Sequence, residues 1–502
     1  MSLEYSKAKN ESLTCTYNKI FLHSSYNPQT ESRRFAESIK LDFIPQNIIV
    51  IEPALSYCKK DLCELFPASR ICAIRFIKDI KAEDKFEKEF IYQTISQLKT
   101  DLFNYFGEEG LLNSFFITWP PAAKCFSEED KQIWGLIKDL LKECQSILAT
   151  RQFFSKRWIK NEFNFLSNIS KCTKLKKINL PVFITASGPS LKNCIKFLKE
   201  NQKRFFILAC SSSIKALLKN EIFPDLCIST DGGFWAKKHL YELSKHPELN
   251  LAITAESNID KKLFKSNVIV PLAYCDNFDD SIFNSTGIPF NKARRNGTIS
   301  GTALELALSI TDKEIYFTGL DLEANKGFVH TEPNELEIEN SLKDNKLKPT
   351  DTRLFGQSLE STQLEIYRNW FVSNSEKFNR VFRVSHDYKF KHTLGQIKDI
   401  DFKSIKIDES KDCGKQKDSL GTSFFKNSFD FFENEKSISI SKKDISGIFE
   451  KLFKDEYWLK SYFPADVIAI NRTCDNTKKE ELKNKLNEKI NELRSFIGRR
   501  IN

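Results

Sequence analysis

The sequence predicts an α/β protein. Its central domain is expected to be a mostly parallel, Rossmann-like sheet, preceded by a smaller degenerate Rossmann-like domain and followed by a helical region. Two observations support this. Short apolar segments rich in β-branched residues alternate with helical patterns between about residues 175 and 395, and one strand–helix–strand pattern occurs near residue 50. A chain of 502 residues is too long for one core. We therefore predict domains at 1–170, 171–397 and 398–502.

The N-terminal region contains the single strand–helix–strand pattern. Asn47–Pro53 (NIIVIEP) and Arg70–Phe76 (RICAIRF) are predicted strands, and the helical sequence SYCKKDLCELF lies between them. The turn after the first strand reads Glu-Pro-Ala-Leu-Ser and lacks the G-x-G-x-x-G phosphate loop. We therefore expect this domain to hold no cofactor of its own. A helix predicted over 131–169 leads to the next domain.

The central region supplies a series of strand candidates. They are PVFITA (181–186), FFILAC (205–210), DLCIST (225–230), LAITAE (251–256), NVIVPLA (267–273), EIYFTG (314–319) and RVFRVS (380–385). Ligands of open α/β sheets bind beyond the carboxyl ends of the strands. The residues that follow each of these strands are therefore the candidates for a binding site.

The C-terminal region is lysine-rich and predicted to be helical. Its last helix is expected to begin with a capping box formed by Thr477 and Glu480. The apolar residues that follow share one helical face, which is typical of a packed helix. They are Leu482, Leu486, Ile490, Leu493 and Ile497.

Composition limits the class of protein. The net charge of +10 is spread along the chain, and no zinc-finger spacing or aromatic RNA-binding motif accompanies it, so we expect no nucleic-acid partner. The 13 cysteines form no CxxC pair, which is typical of reduced thiols. The chain begins without a hydrophobic signal region, and its apolar runs are far shorter than a membrane span. These features predict a cytoplasmic protein without a membrane span.

The first candidate site residues are Ser187, Gly188, Pro189 and Ser190, directly after the strand PVFITA. Gly188 permits a tight turn, and Pro189 suits the start of a helix. Free N–H groups at that helix start, together with the Ser190 hydroxyl, would bind an anion. An ordinary strand-to-helix turn would contain the same residues.

Further candidates follow the other strands. Ser211 begins a run of three serines that could cap a helix or bind a base or ribose, and Asp231 precedes two glycines. Gly319, Leu320 and Asp321 follow the strand EIYFT, and Asp321 could hold a ribose or substrate hydroxyl.

A second helix start provides a candidate phosphate site. Small residues open the helix ALELAL, and two arginines precede them, an arrangement that could clamp a phosphate. The small residues are Gly297, Thr298, Ser300 and Gly301, and the arginines are Arg294 and Arg295. His330 is a candidate general acid or base. Together these clusters predict a nucleotide-binding crevice. No motif identifies a resident metal site, and Mg²⁺ is the cation that could accompany the nucleotide.

These motifs resemble the central domain of the motility-associated factor (Maf) flagellin glycosyltransferases. The resemblance rests on ITASGPSL, ACSSS, FPDLCISTDGG, GTISGTALELALSI and KEIYFTGLD, which occur in family-like order. The same core is similar to bacterial CMP-sialyltransferases and to the MptE-like 6-hydroxymethylpterin diphosphokinases. By likeness to the sialyltransferases, a CMP site would be lined by Ser187, Gly188, Ser211, Asp231, Ser300, Gly319 and Asp321.

The resemblance implies a transferase. It would move a nonulosonic acid of the pseudaminic, legionaminic or sialic type from a CMP-sugar to Ser or Thr of flagellin. The sequence departs from the sialyltransferases at Gln357, where that group has its histidine base. Maf proteins often place a histidine after G-x-D-L, which makes His330, with Asp321, the catalytic candidate here. Two alternatives remain open: diphosphate transfer from ATP to a pterin alcohol with Mg²⁺, and a catalytically inactive flagellin-binding protein.

Overall fold

The computed structural model describes residues 3–82, 84–275, 278–323, 327–355, 362–406, 416–417, 425–426 and 431–501. The chain forms two compact units. The first, called the N-terminal unit, comprises Met1–Ser155 and Leu452–Phe496; the second, called the central unit, comprises Lys156–Lys451 and Ile497–Asn502. The predicted C-terminal region, 398–502, thus contributes residues to both units.

The first part of the chain alternates strands and helices. Its elements are β1 (Leu3–Lys7), β2 (Leu13–Tyr17), β3 (Ile20–Phe21), α1 (Pro28–Ser38), β4 (Asn47–Ile51), α2 (Cys58–Leu65), β5 (Arg70–Arg75), β6 (Lys88–Ile91), α3 (Ile95–Leu112), β7 (Ser114–Thr118), α4 (Pro120–Cys125) and α5 (Ser127–Asn168).

The N-terminal unit contains a small parallel sheet in the order β6-β5-β4-β7. Strand β4 is buried along its whole length, as its run of β-branched residues predicts. The predicted βαβ pattern is confirmed, since β4 and β5 pair in parallel with Asn47 opposite Arg70. An antiparallel sheet of β1, β2 and β3 also belongs to this unit.

The central part of the chain continues the alternation. Its elements are β8 (Lys171–Cys172), β9 (Val182–Thr185), α6 (Ser190–Asn201), β10 (Phe206–Cys210), α7 (Ile214–Lys219), β11 (Leu226–Ser229), α8 (Phe234–His239), β12 (Asn250–Thr254), α9 (Lys261–Ser266), β13 (Ile269–Tyr274), α10 (Asp279–Thr286), β14 (Asn291–Ala293), α11 (Ile299–Ile310), β15 (Ile315–Thr318), α12 (Glu335–Lys343), α13 (Thr350–Phe355), α14 (Thr362–Asn374), β16 (Val381–Ser385) and β17 (Lys398–Asp401).

The last part is mainly helical. Its elements are β18 (Gln416–Lys417), β19 (Phe425–Lys426), β20 (Lys436–Ser437), α15 (Lys442–Leu452), α16 (Glu456–Tyr462), α17 (Pro464–Arg472) and α18 (Asn476–Ile501).

The central sheet confirms the predicted fold class. Its order is β17-β16-β15-β9-β10-β11-β12-β13-β8-β20, with β14 beside β13, and every pair is parallel except β8 with β20. Each strand candidate of the central region forms a strand. After β9 the chain adds strands on one side as far as β14, then returns to place β15 on the other side of β9. The carboxyl ends of β9 and β15 therefore mark the topological switch point, where open α/β sheets bind ligands.

Helix α18 contains the predicted apolar stripe. Leu486, Ile490, Leu493 and Ile497 are buried, as a packed helix requires. The predicted capping box is wrong, because Oδ1 of Asp475 accepts the N–H groups of Thr477 (2.8 Å) and Lys478 (3.2 Å). A carboxylate two residues earlier thus performs the capping expected of Thr477. Within the described ranges, no helix is long and apolar enough to cross a membrane.

Candidate functional site

The turn after β9 is fastened to the turn after β15 at the switch point. The N–H of Ser190 donates to Oδ2 of Asp321 (2.9 Å), and the Ser190 hydroxyl donates to Oδ1. The N–H of Gly319 donates to the Ser190 hydroxyl oxygen (3.0 Å), and the N–H of Gly188 donates to the Gly319 carbonyl (2.9 Å). These bonds make the two turns one rigid structure.

The start of α6 differs from the sequence expectation. We expected its N–H and the Ser190 hydroxyl to be free for a ligand anion, yet Ser190 is fully buried and Asp321 binds both groups. Burial raises the pKa of Asp321, although its hydrogen bonds with Ser190 and Tyr388 oppose that change. The carboxylate of Asp321 therefore takes the place next to the helix terminus that a phosphate was expected to take.

Two glycines are required for the turns to approach each other. A Cβ on Gly188 would lie 2.6 Å from the Gly319 carbonyl oxygen and 2.7 Å from Cγ of Asp321. Gly319 has a φ of +71°, and a Cβ there would overlap the carbonyl of Ala186. The neighbouring Leu320 is buried, and its carbonyl accepts a hydrogen bond from Nη1 of Arg383 (3.4 Å).

The segment that carries His330 lies against the β9 turn. The N–H of Thr331 donates to the carbonyl of Ser187 (2.7 Å), and the Thr331 hydroxyl donates to that of Gly188 (2.7 Å). Nδ2 of Asn334 donates to the carbonyl of Ser212 (3.0 Å), just beyond β10. The His330 side chain is 23% exposed. The structure therefore brings His330 and the Ser187–Ser190 turn, which includes Pro189, into one region.

The ends of β10 and β11 present buried hydroxyl groups. Within the described part of the chain, the hydroxyls of Ser211 and Ser229 are buried and have no hydrogen-bond partner. The two residues are neighbours, because Cys210 lies opposite Ile228 in the preceding pair of the parallel register. An unsatisfied buried hydroxyl costs about 1–3 kcal/mol, so hydroxyls of this kind favour a bound polar ligand.

Asp231 lies beyond β11 and is exposed. One of its carboxylate oxygens, Oδ1, accepts the N–H of Gly233 (2.8 Å). Burial raises the pKa of the Tyr367 hydroxyl, and the negative charge of Asp231 raises it further. Asp231 and Tyr367 are therefore close enough to interact, which the sequence did not indicate.

The N-terminus of α11 is the helix start best suited to an anion. Oγ1 of Thr298 accepts the N–H of Gly301 (2.9 Å) and caps the helix. Ile299 and Ser300 are the first two residues of the helix, so their N–H groups have no acceptor within it. The Ser300 hydroxyl is half-buried and lies 3.9 Å from Sγ of Cys210. Unbound N–H groups at the positive end of a helix dipole favour a phosphate here.

Aromatic residues of α14 lie over this helix start. A Cβ on Gly297 would be 3.8 Å from the ring of Tyr367, and one on Gly301 would be 3.3 Å from Cζ3 of Trp370. Larger residues in place of Gly301 would also collide with Asn296. The small residues at 297–301 thus leave room for the aromatic side chains.

The two arginines of the predicted phosphate clamp have different surroundings. Arg294 is exposed. The guanidinium of Arg295 forms a bidentate ion pair with the buried Glu256 (2.7 and 3.0 Å) and lies over the rings of Trp158 (4.6 Å) and Tyr274 (4.3 Å). A ligand phosphate would compete with Glu256 for Arg295, whereas Arg294 is accessible.

Sequence reasoning missed several residues that form this region. They are Thr331, Asn334, Glu337, Tyr367 and Tyr388. The only local signal was the polar run at 330–334, directly after the histidine candidate. Gln357 lies outside the described residues. In the described ranges, no cluster of three or more His, Cys, Asp or Glu residues is arranged to hold a metal ion.

Comparisons with known proteins identify similar sequences and a similar fold. Residues 156–327 match the family model described as "6-hydroxymethylpterin diphosphokinase MptE-like". The structure of a Maf glycosyltransferase from Magnetospirillum magneticum AMB-1 matches with a TM-score of 0.60 at 12% identity, covering 100% of this chain and 92% of that one. The chain has the Maf glycosyltransferase fold. The predicted resemblance to the Maf and MptE-like proteins is thereby confirmed.

Two proteins of Treponema pallidum (strain Nichols), each named "Uncharacterized protein", are similar in sequence. One is 30% identical over 297 residues, which is 59% of this chain and 65% of that protein. The other is 22% identical over 270 residues, which is 52% of this chain and 46% of that protein. The chain therefore spans only part of the length of either relative.

Proposed function

We propose that the chain is a cytoplasmic glycosyltransferase that moves a nonulosonic acid from its CMP derivative to Ser or Thr hydroxyls of flagellin. One observation carries the proposal. Two buried hydroxyls that lack partners among the described residues (Ser211, Ser229) and the N-terminus of α11 occur at the same sheet edge as His330, whose neighbour Thr331 binds the β9 turn. The Maf fold and the MptE-like match support a transferase of this general kind.

The proposed mechanism assigns a role to each part of the edge. The N-terminus of α11 binds the phosphate of CMP, the leaving group, with Arg294 nearby. Ser211 and Asp231 bind the cytidine and ribose. Asp321 holds the two turns together and does not itself contact the reacting atoms.

The transfer is a substitution at the anomeric carbon of the sugar. The bond from that carbon to the phosphate oxygen breaks, and CMP leaves with the electron pair. The acceptor hydroxyl oxygen forms the new bond through an oxocarbenium-like state, while its proton passes to His330 as general base. No change of oxidation state and no further reactant is needed.

A thermal-shift titration with CMP, CDP, UDP, GDP and ATP, each with and without Mg²⁺, tests the nucleotide class. A ligand that binds only the folded state raises the melting temperature in proportion to its saturation. We expect a shift with CMP that is lost in Ser300→Pro, which removes the N–H group of Ser300, and retained in Ser309→Ala at the far end of α11. Release of CMP from a CMP-nonulosonic acid in the presence of flagellin then tests the transfer.

Diphosphate transfer to a pterin alcohol is the second candidate, because residues 156–327 match the MptE-like family model. In that reaction ATP would bind with Mg²⁺ at the same crevice. A shift with ATP and Mg²⁺ alone would replace our proposal by this one. The absence of a shift with any nucleotide would instead favour a flagellin-binding protein without catalysis.

A further inference from the structure

The histidine candidate has a buried carboxylate partner. Glu337, on the first turn of α12, is 2% exposed. Its Oε1 accepts the backbone N–H groups of Val329 (3.0 Å) and His330 (3.2 Å) and lies 3.3 Å from Nδ1 of the His330 ring. One oxygen atom thus fixes both the backbone and the ring of the histidine segment.

The helix that carries Glu337 is itself held in place. Oδ1 of Asn334 accepts the N–H of Leu336 (2.9 Å) and caps α12, while Nδ2 donates to the carbonyl of Ser212 (3.0 Å). Glu335, the first residue of α12, pairs with Lys215 on α7 (2.8 Å). These contacts fix α12 at the end of β10, so Glu337 approaches the ring from a defined direction.

This geometry selects one form of the imidazole. An ionised carboxylate can only accept hydrogen bonds, so the nitrogen that faces it must carry the proton. Nδ1 of His330 is then the donor, and Nε2 keeps its lone pair. Carboxylate partners orient catalytic and metal-binding histidines by the same physical effect.

We propose that Glu337 is a positioning residue that holds His330 in the Nδ1–H tautomer and thereby makes Nε2 the base. The catalytic part of this inference rests on the proposed function. The tautomer part does not, because it follows from the contacts of the ligand-free protein. The alternative is that Glu337 merely ties down the backbone of Val329 and His330.

Nitrogen chemical shifts of ¹⁵N-histidine-labelled protein test the tautomer directly. The chain has 6 histidines, and the His330→Gln variant identifies the signal of interest. At a pH where the ring is neutral, we expect the proton on Nδ1 in the wild type and a substantial Nε2–H population in Glu337→Gln. A wild-type ring protonated on Nε2, or a tautomer unchanged in Glu337→Gln, would overturn the inference.

Kinetics separate positioning from a structural role. We expect Glu337→Gln to lower kcat on the order of 10- to 100-fold with little change in KM for the donor, since general-base catalysis contributes roughly 10²–10⁴-fold. In a His330→Ala background the same change should have no further effect, because Glu337 acts through the ring. An equal loss in both backgrounds would overturn the inference in favour of the backbone role.

A matched control is available on the same helix. Glu339 pairs with Lys343 (3.2 Å), and Glu339→Gln removes the same charge without touching His330. It should leave both the tautomer and kcat unchanged. If the wild type transfers no sugar at all, the proposed function fails, and the nitrogen shifts alone decide whether Glu337 sets the tautomer.

Discussion

Strand β4 of the N-terminal unit and strand β9 of the central unit each end beside a carboxylate that accepts backbone N–H groups, but the two carboxylates come from different places. In the N-terminal unit it is Glu52, from the turn itself, which accepts the N–H groups of Ala54 (3.1 Å), Phe76 (2.6 Å) and Ile77 (3.0 Å). In the central unit it is Asp321, which lies 131 residues after the Ser190 that it binds.

The turn after β4 is closed, because Glu52 occupies the position that an anion would take. Glu52 is fully buried beside Arg75, which is 1% exposed, and the turn has positive φ at Glu52, Ala54 and Ser56. Such conformations aim successive N–H groups at one point, which in other Rossmann-like folds is a phosphate. A phosphate here would have to displace Glu52.

In the central unit the carboxylate of Asp321 lies at the switch point, where it binds the start of α6 and the Tyr388 side chain. Ser211 and Ser229, at the ends of β10 and β11, keep hydroxyls without partners among the described residues. The carboxylate next to the turn thus comes from the same turn in the N-terminal unit and from the end of another strand, β15, in the central unit.

The largest effect predicted by this comparison concerns Glu52→Ala. The change leaves one buried and two partly buried N–H groups without their acceptor. It also removes one of the two carboxylates next to Arg75 (3.7 Å), the other being Glu89 (2.9 Å). We expect the free energy of unfolding to fall by about 3–5 kcal/mol, measured by urea denaturation.

The response to a nucleotide is the control for Glu52→Ala. Because the turn belongs to the N-terminal unit, the midpoint shift caused by CMP should be the same as in the wild type, once measured from the lower starting temperature. Loss of the CMP shift in a variant that remains folded would show that the first turn is not merely structural.

A smaller loss of stability is expected for Gly319→Ala in the central unit. The φ of +71° and the overlap with the Ala186 carbonyl should cost about 2–4 kcal/mol and separate the two turns, so the CMP shift should also disappear. Gly447→Ala is the control, since a Cβ there meets no atom within 4 Å and alanine favours the helix. A Gly319→Ala protein with normal stability and CMP binding would contradict the described geometry.

The sequence predicts the strands of both sheets better than it predicts the site. Buried β-branched runs such as Asn47–Ile51 have few alternatives to a parallel strand, and the polar residues after strands must converge at one edge. The pairing of Ser190 with Asp321 depends on which strand returns to β9, and no local pattern encodes that order. Glu337 was missed although its partner His330 is near in sequence. The burial of Glu337 depends on how α12 packs, and no local pattern shows that packing.

Glu109 of the N-terminal unit is an acid that, unlike Glu52, lies in a helix and not in a turn. Burial, only partly offset by Arg151, raises the pKa of Glu109 to about 7. The folded state therefore binds more protons than the unfolded state between the ordinary value of 4.5 and about 7, and stability is lost as the pH rises through that window. Glu109→Gln should raise the free energy of unfolding by about 1–3 kcal/mol at pH 8 and change it little at pH 4.5.

Denaturation of Glu109→Gln at both pH values checks this prediction. Glu108→Gln is the matched control, because the neighbouring Glu108 pairs with Arg151 (3.4 Å) and its removal should not stabilise the protein at pH 8. A pH-independent effect of Glu109→Gln would mean that packing, rather than ionisation, governs this position.

The smallest effects compare two serines of one turn in the central unit. The Ser213 hydroxyl donates to the carbonyls of Thr185 (3.0 Å) and Cys210 (2.8 Å), whereas that of Ser211 is buried without a partner among the described residues. Ser213→Ala should therefore lower the free energy of unfolding by about 1–2 kcal/mol, and Ser211→Ala should leave it unchanged or raise it by less than about 1 kcal/mol.

The two variants should rank the other way in ligand binding. Ser211→Ala should weaken the CMP shift more than Ser213→Ala does, because the Ser211 hydroxyl acquires its partner only in the complex. If Ser211→Ala destabilises the free protein as much as Ser213→Ala does, the Ser211 hydroxyl already has a partner, and the end of β10 would be as closed as the turn at Glu52.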